Sequence, residues 1–308
     1  MSYDVIGDIH GQAVKLEALF SKLGYSRKGA GWVPPQGRQA IFLGDLIDRG
    51  PEQVKVLNIV RSMIDEGHAR SVMGNHEFNA IGYATRHTDE PNVFLRRRSA
   101  KNVAQHEEYL RQVGLNSPLH IELTEWFKTL PPILDLGGIR VVHAWWYEPF
   151  IETVRRHWPD GVPMPEEFLH DAYRNNSEQW NAMEGLTKGL EVELPTPYSF
   201  IDHSGQKRTM ARTKWWHEAP ISFRDVAIVE PGREHTIPEI PLPQEFLGAP
   251  VSGPPVFVGH YWMSGIPEPM SPKLACLDWS AAKDGPMVAY RWDGEQIIAP
   301  ENFICAGA

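Results

Sequence analysis

The sequence predicts an α/β fold organised around parallel strands, and three observations carry that expectation. Short apolar runs alternate with helical periodicity through the first third of the chain. Three of those runs end in glycine and pass at once into Asp, His or Asn. There is no fixed-period repeat, and Cys276 and Cys305 are the only cysteines, which excludes a disulfide framework and a Cys-rich zinc module.

Val5-Ile6 reads as the first strand, and Val14, Leu16, Leu19, Phe20 and Leu23 then share one helical face. Ile41-Phe42-Leu43 is a second strand. Val54, Leu57, Ile59 and Met63 mark a second helix, with Pro51 where it would begin and Gly67 where it would end. Ser71-Val72-Met73 completes a β-α-β-α-β pattern. Residues 100–130 carry more helical patterning, broken at Gly114 and Pro118 and stopped by Pro131-Pro132, and Ile139 to His143 reads as a buried strand. From about 144 to 255 the pattern degrades among Pro159, Pro163, Pro165, Pro195 and Pro197, and 231–255 is too proline-rich for regular structure. The expectation is one domain over 1–308 with an irregular insert at about 150–255 that shapes the substrate site. Strands return at Val256-Phe257-Val258, at Leu274 to Leu277 and at Met287 to Tyr290, and Trp292 to Glu295 reads as a hairpin turn.

A chain of 308 residues can bury about three quarters of its unfolded surface and needs no staple to fold. With 42% apolar and 22% charged residues it is neither a disordered chain, a collagen nor a coiled coil. Its 30 basic and 39 acidic residues give a net charge of −9, which disfavours nonspecific nucleic-acid binding. No run reaches the roughly 18 apolar residues of a membrane span, and a strand-like segment from Tyr3 leaves no room for a signal peptide. Together with the cysteine content, this predicts a cytoplasmic protein with no membrane partner.

Three segments share one design: Gly7-Asp8-Ile9-His10-Gly11, Gly44-Asp45-Leu46-Ile47-Asp48-Arg49-Gly50 and Gly74-Asn75-His76-Glu77. In α/β sheets ligands bind beyond the carboxyl ends of the strands, so consecutive parallel strands would gather these tips. Two further histidines, His143 and His260, end later strands. Carboxylate, amide and imidazole ligands without thiolates suit Mn²⁺, Fe or Zn²⁺.

In order and wording these segments resemble the phosphoprotein phosphatase family of calcineurin-like metallophosphoesterases, of the bacterial type, from residue 7 to His260. The resemblance implies a two-sheet β-sandwich flanked by helices and a pair of divalent cations, Mn²⁺ foremost. It places Asp8 and His10 on one metal, Asn75, His143 and His260 on the other, and Asp45 between them. Such a pair activates a water and clamps the attacking and leaving oxygens of an in-line displacement. The resemblance further implies His76 as general acid, Asp48 as its orienting partner and Arg49 as a two-pronged phosphate ligand.

The implied activity is hydrolysis of phosphomonoesters, as in the protein Ser/Thr phosphatases. A diadenosine tetraphosphatase-like action on nucleotides is the alternative, and a non-catalytic metal-binding scaffold is a third reading. The substrate is then a phosphoprotein or a nucleotide. Arg212, in a stretch of alternating basic residues, is the candidate second phosphate ligand. Trp145 and Trp146 after His143, and Tyr261 and Trp262 after His260, could wall a base, although core packing is the expected use of such aromatics. Arg96-Arg97-Arg98 reads as a solvated helix face, and His203 and His217 as ordinary polar residues.

Overall fold

The computed structural model describes every residue except 89, 91, 202–204, 218–221, 231, 244–245, 247–250 and 308. His203 lies outside the described residues. Strands Ser2–Ile6, Arg38–Phe42 and Ala69–Ser71 run parallel and form one half of a five-stranded sheet. Met287–Trp292 pairs antiparallel with Ser2–Ile6, and Phe303–Ala306 closes that edge. A four-stranded sheet holds Leu274–Cys276, Val256–Val258 and Arg140–Val142 in parallel, with Ile133–Asp135 antiparallel at its edge.

Alternation along each strand explains why the two sheets stack. Val5 and Ile41 of the first sheet share one buried cluster with Val141, Phe257 and Ala275 of the second. Their neighbours Ile6, Phe42, Val142 and Val256 face the other way, into a second cluster shared with helix residues such as Leu16, Phe20 and Val60. Burying each such side chain is worth about 1.5–3 kcal/mol. The result is the expected sandwich flanked by helices.

Helix α1 (Ala13–Leu23) ends at Gly24, whose φ of 80° supplies the left-handed cap. Helix α2 (Gln53–Asp65) follows Pro51, and α3 (Asn75–Ala84) starts directly on the third strand tip. Ser99 and Ser117 cap α4 (Ala100–Val113) and α5 (Pro118–Phe127) by accepting from Asn102 N and His120 N.

Two expectations need correction. The segment read as irregular from about 150 holds α6 (Glu148–His157), α7 (Glu166–Asp171) and α8 (Glu178–Lys188). Its prolines start helices instead of preventing them: Pro149 stands in the first turn of α6 and Pro165 caps α7, positions where a missing N–H costs nothing. Short strands follow, Glu191–Glu193 with Met210–Arg212 and Phe200–Ile201 with Lys207–Arg208, around a small core of Val192, Ala211 and Phe223. The connection after Trp292 runs to a 3₁₀ turn at Pro300–Asn302 before the paired strand, longer than a tight hairpin. Among the described residues no helix is long and apolar enough to cross a membrane.

Candidate metal centre

The parallel strands deliver their carboxyl ends to one side, and backbone hydrogen bonds knit those ends together. His10 N and Ile9 N donate to Asp45 O at 2.8 and 3.1 Å, and Gly11 N donates to Leu46 O at 2.9 Å. Gly259 N donates to His143 O at 2.8 Å, joining the two tips of the second sheet. His10, Asp45, Asp48, Arg49 and His260 all sit at positive φ, between 46° and 69°. Left-handed backbone at a non-glycine residue costs of order 1–3 kcal/mol and persists only where its surroundings over-determine it. Here it turns each chemical side chain back over the strand ends.

All six residues assigned to metal by resemblance are buried, and four of them, His10, Asp45, His143 and His260, fall in close ligand trios from which Asp8 is absent. The ligand atoms of His10, Asp45 and His76 lie within 4.8 Å of one another, and so do those of Asp45, His143 and His260, which makes Asp45 common to both trios. His143 Nε2 is 3.3 Å from Asn75 Oδ1 and 3.4 Å from Asp45 Oδ1. Asp8 Oδ2 accepts from His260 N at 3.1 Å. His76 falls in the first trio by distance, whereas the resemblance leaves it unligated.

The donor set fits cations. His10 Nδ1 donates to Ile47 O at 2.8 Å and His143 Nδ1 to Leu43 O at 2.7 Å, so each turns an Nε2 lone pair towards the centre. Asp8 Oδ1, His10 Nε2 and His260 Nε2 are buried with no hydrogen-bond partner among the described residues. Buried polar atoms are rarely left so, and a bound cation would satisfy these lone pairs. Burial holds the His10 and His260 imidazoles well below their usual pKa, with Arg49 and Arg212 respectively adding to it, which keeps them neutral as ligands must be. Burial pushes the Asp45 carboxyl up, but His143, His76 and His10 outweigh it and hold it well down.

Beside this cluster, His76 Nδ1 donates to Asp48 Oδ2 at 2.5 Å, leaving its Nε2 3.8 Å from Asp45. His106 Nδ1 reaches the other Asp48 oxygen at 2.9 Å, and Gln105 Nε2 lies 3.5 Å from His76 Nδ1. Arg49 is exposed at the rim, its guanidinium carbon 4.5 Å from the Trp262 ring centre. Arg212 donates to His260 O at 3.2 Å and lies 5.9 Å from the same ring.

Of the aromatics, Tyr261 is fully buried and donates to Ala144 O, a packing role as expected. Trp145 stacks on Tyr147 at 4.4 Å, and Trp146 donates to Glu148. The arginine triplet precedes α4 and is not a solvated helix face. Arg96 donates to Asn102 and Gln105, and Arg98 lies over Phe94 and Tyr83, because aromatic faces and amide oxygens stabilise the guanidinium better than water alone does.

Four residues of the site carry no role in the sequence reading. Glu77 accepts Asp45 N and Gly74 N on one oxygen at 2.9 and 3.0 Å, and Leu46 N and Ile47 N on the other at 2.8 and 3.3 Å. Burial, with Asp45 beside it, pushes its carboxyl up to about 7 against the pull of His143 and those N–H groups. Gln53 accepts from Asp48 N and donates to Gly50 O, fixing the loop that carries Asp48 and Arg49. Asp278 accepts from Trp262 N and Ser280 N. His106 is the fourth. Glu77 and Asp278 each follow a strand tip, the signal that picked out the others; nothing in the sequence singles out His106.

A family model described as calcineurin-like phosphoesterase matches residues 1–230, stopping short of His260. The bis(5'-nucleosyl)-tetraphosphatase PrpE (asymmetrical) of Bacillus subtilis (strain 168) is 45% identical over 76 residues, 25% of this chain and 31% of that protein. Its namesake in Geobacillus thermodenitrificans (strain NG80-2) is 46% identical over 76 residues, with the same two coverages. The chain therefore spans 31% of the length of these curated relatives. A solved protein serine/threonine phosphatase from Saccharomyces cerevisiae is 14% identical with a TM-score of 0.49, covering 100% of this chain and 80% of that one.

Proposed function

The chain belongs to the calcineurin-like phosphoesterases, and from that premise we propose that its strand-tip centre hydrolyses phosphoric esters with two divalent cations, Mn²⁺ first among them. One observation carries the reading: the unpartnered Nε2 atoms of His10 and His260 belong to two ligand trios that share Asp45, and Asp8 Oδ1 is likewise buried without a partner among the described residues. Asp8, His10 and Asp45 would hold one cation and Asp45, Asn75, His143 and His260 the other. When bound, such a pair lowers the pKa of water towards 7 and offsets negative charge on the phosphoryl group.

The chain's own residues supply the rest. Asp48 accepts a hydrogen bond from His76 Nδ1 and fixes the ring, so that the imidazolium turns Nε2 towards the centre, donates that proton to the departing oxygen and is left as neutral imidazole. His106 holds the opposite oxygen of Asp48, which keeps the carboxylate from rotating away. Arg49, and Arg212 behind it, present planar donors to the phosphoryl oxygens. A phosphomonoester is the simplest substrate that would engage all of these groups. A second reading, a nucleoside polyphosphate, is supported by the names of the relatives from Bacillus subtilis and Geobacillus thermodenitrificans.

The test is turnover of p-nitrophenyl phosphate by the full chain with added Mn²⁺, alongside the metal content of each variant. His76→Ala is expected to lower kcat by about 10²–10⁴ with two metals retained. Asp45→Ala is expected to lose both activity and metal. Absent turnover, or undiminished turnover in both variants, rejects the reading; loss of one metal in His76→Ala would make His76 a ligand instead.

A further inference from the structure

Three cations converge on one indole at the rim of the centre. The guanidinium of Arg49 lies 4.5 Å from the Trp262 ring centre, the ammonium of Lys283 5.0 Å and the guanidinium of Arg212 5.9 Å. Among the described residues none of the three forms an ion pair with a carboxylate, and Arg212 Nε is buried without a hydrogen-bond partner. Like charges gathered around one ring repel, and the ring's quadrupole, with Asp278 near Arg49 and Arg212, offsets part of that repulsion. An anion placed among them would offset the remainder.

The arrangement is built and held. Trp262 sits at φ 49°, kept there by Asp278, which accepts from Trp262 N at 2.9 Å and from Ser280 N at 3.0 Å. Ser280 Oγ donates to Met263 O at 3.2 Å, tying the two loops together. The turn that bears Lys283 is anchored from below by Lys15, whose ammonium donates to Ala281 O, Lys283 O and Gly285 O at 2.8–3.0 Å. Lys283 N donates to Ser280 O at 2.8 Å. A cation on a free loop would need none of this.

On the proposed reading Arg49 and Arg212 would meet the phosphoryl group that reacts, which leaves Lys283, exposed and 5.0 Å from the indole centre, for another anion. We infer that Trp262 and Lys283 form, together with Arg49 and Arg212, a subsite for a second phosphoryl group, so that the centre favours substrates with consecutive phosphates over simple monoesters. The inference rests on hydrolysis at this centre and deepens it by naming residues that select the substrate. Lys283 supplies a compact charge for the outer phosphate, and Trp262 fixes the spacing between that charge and Arg49.

Titration calorimetry separates the two readings. The Mn²⁺-loaded full chain, Lys283→Ala and Lys283→Arg are each titrated with inorganic tripolyphosphate and with orthophosphate at fixed free Mn²⁺, and the affinity ratio is the readout. Wild type should prefer tripolyphosphate by more than tenfold. Lys283→Ala should cut that ratio about tenfold, roughly 1.4 kcal/mol, and Lys283→Arg should restore most of it. A ratio within twofold of wild type in Lys283→Ala, or equal weakening of both anions, overturns the subsite. The expected ratios without turnover of p-nitrophenyl phosphate would support the subsite while removing the hydrolytic reading, so the two fail separately.

Discussion

Glu77→Gln tests whether one buried carboxylate holds the strand tips in register. In the wild type each oxygen accepts two backbone N–H groups, Asp45 and Gly74 on one, Leu46 and Ile47 on the other. Glutamine keeps the side chain's shape but turns one acceptor into a donor. Two buried N–H groups then face an NH₂ group, at about 1–3 kcal/mol each, or about 2–6 kcal/mol in all. At about 2.1 cal/mol/K per residue a domain of 308 residues loses about 1.5 °C per kcal/mol, so thermal unfolding followed by circular dichroism should show Tm lowered by at least about 3 °C. The loop from 44 to 47 carries Asp45, so Mn²⁺ affinity should fall about 10- to 100-fold, the usual cost of losing an outer-shell partner. A Tm within about 1.5 °C of wild type (roughly 1 kcal/mol or less) with unchanged Mn²⁺ affinity would refute the reasoning: the four N–H groups would then be tied by something other than this side chain.

Two further expectations follow from single contacts. Burial pushes the Asp48 carboxyl up, but His106 and His76 draw it down to about 2, so it stabilises the fold by about 2 kcal/mol above pH ~4, an amount lost as pH falls from about 4 towards 2; urea unfolding between pH 2 and 6 should show a shallower acid limb for Asp48→Asn, and parallel curves would reject the assignment. Gly259→Ala would place a Cβ 2.0 Å from Asp8 Oδ1, so the carboxylate must move, with Mn²⁺ affinity at least about tenfold lower and roughly 1–3 kcal/mol lost to overpacking; full affinity would mean that Asp8 does not need its present position.

The parallel strands and their tips were legible because both rest on local rules, whereas the stacking of two sheets came only from the family resemblance. Val5-Ile6 and Ile41-Phe42 show the alternation that puts one residue between the sheets and its neighbour under the helices, and the glycine-plus-polar endings mark where strands stop. Asp8, His10, Asp45, Asn75, His143 and His260 could be gathered on paper because each follows a strand that runs parallel to its neighbour within its own sheet. The helices of 148–188 were misread because proline at a first turn looks, in sequence, like proline that breaks a helix. Gln105 and His106 were invisible for a different reason. They lie within α4, on a face set by how that helix packs, and no pattern in 100–113 separates a histidine that meets Asp48 from one that meets solvent.

The two ligand trios divide along the line between the sheets. His10, Asp45 and His76 come from tips of the five-stranded sheet, while His143 and His260 come from the four-stranded one, and Asp45 reaches both. The second trio therefore exists only while the sheets are packed face to face, through Val5, Ile41, Val141 and Phe257. Any cation bound there binds the packed state and not the separated one. By mass action it adds about 2.7 kcal/mol to that packing at a hundredfold excess over its Kd. The strained backbone at Asp45 and His260, at φ 49° and 69°, lies at the two points where the sheets reach across to one another. A cation held there would offset that strain, so the proposed metal centre would fasten the sandwich as well as serve its chemistry.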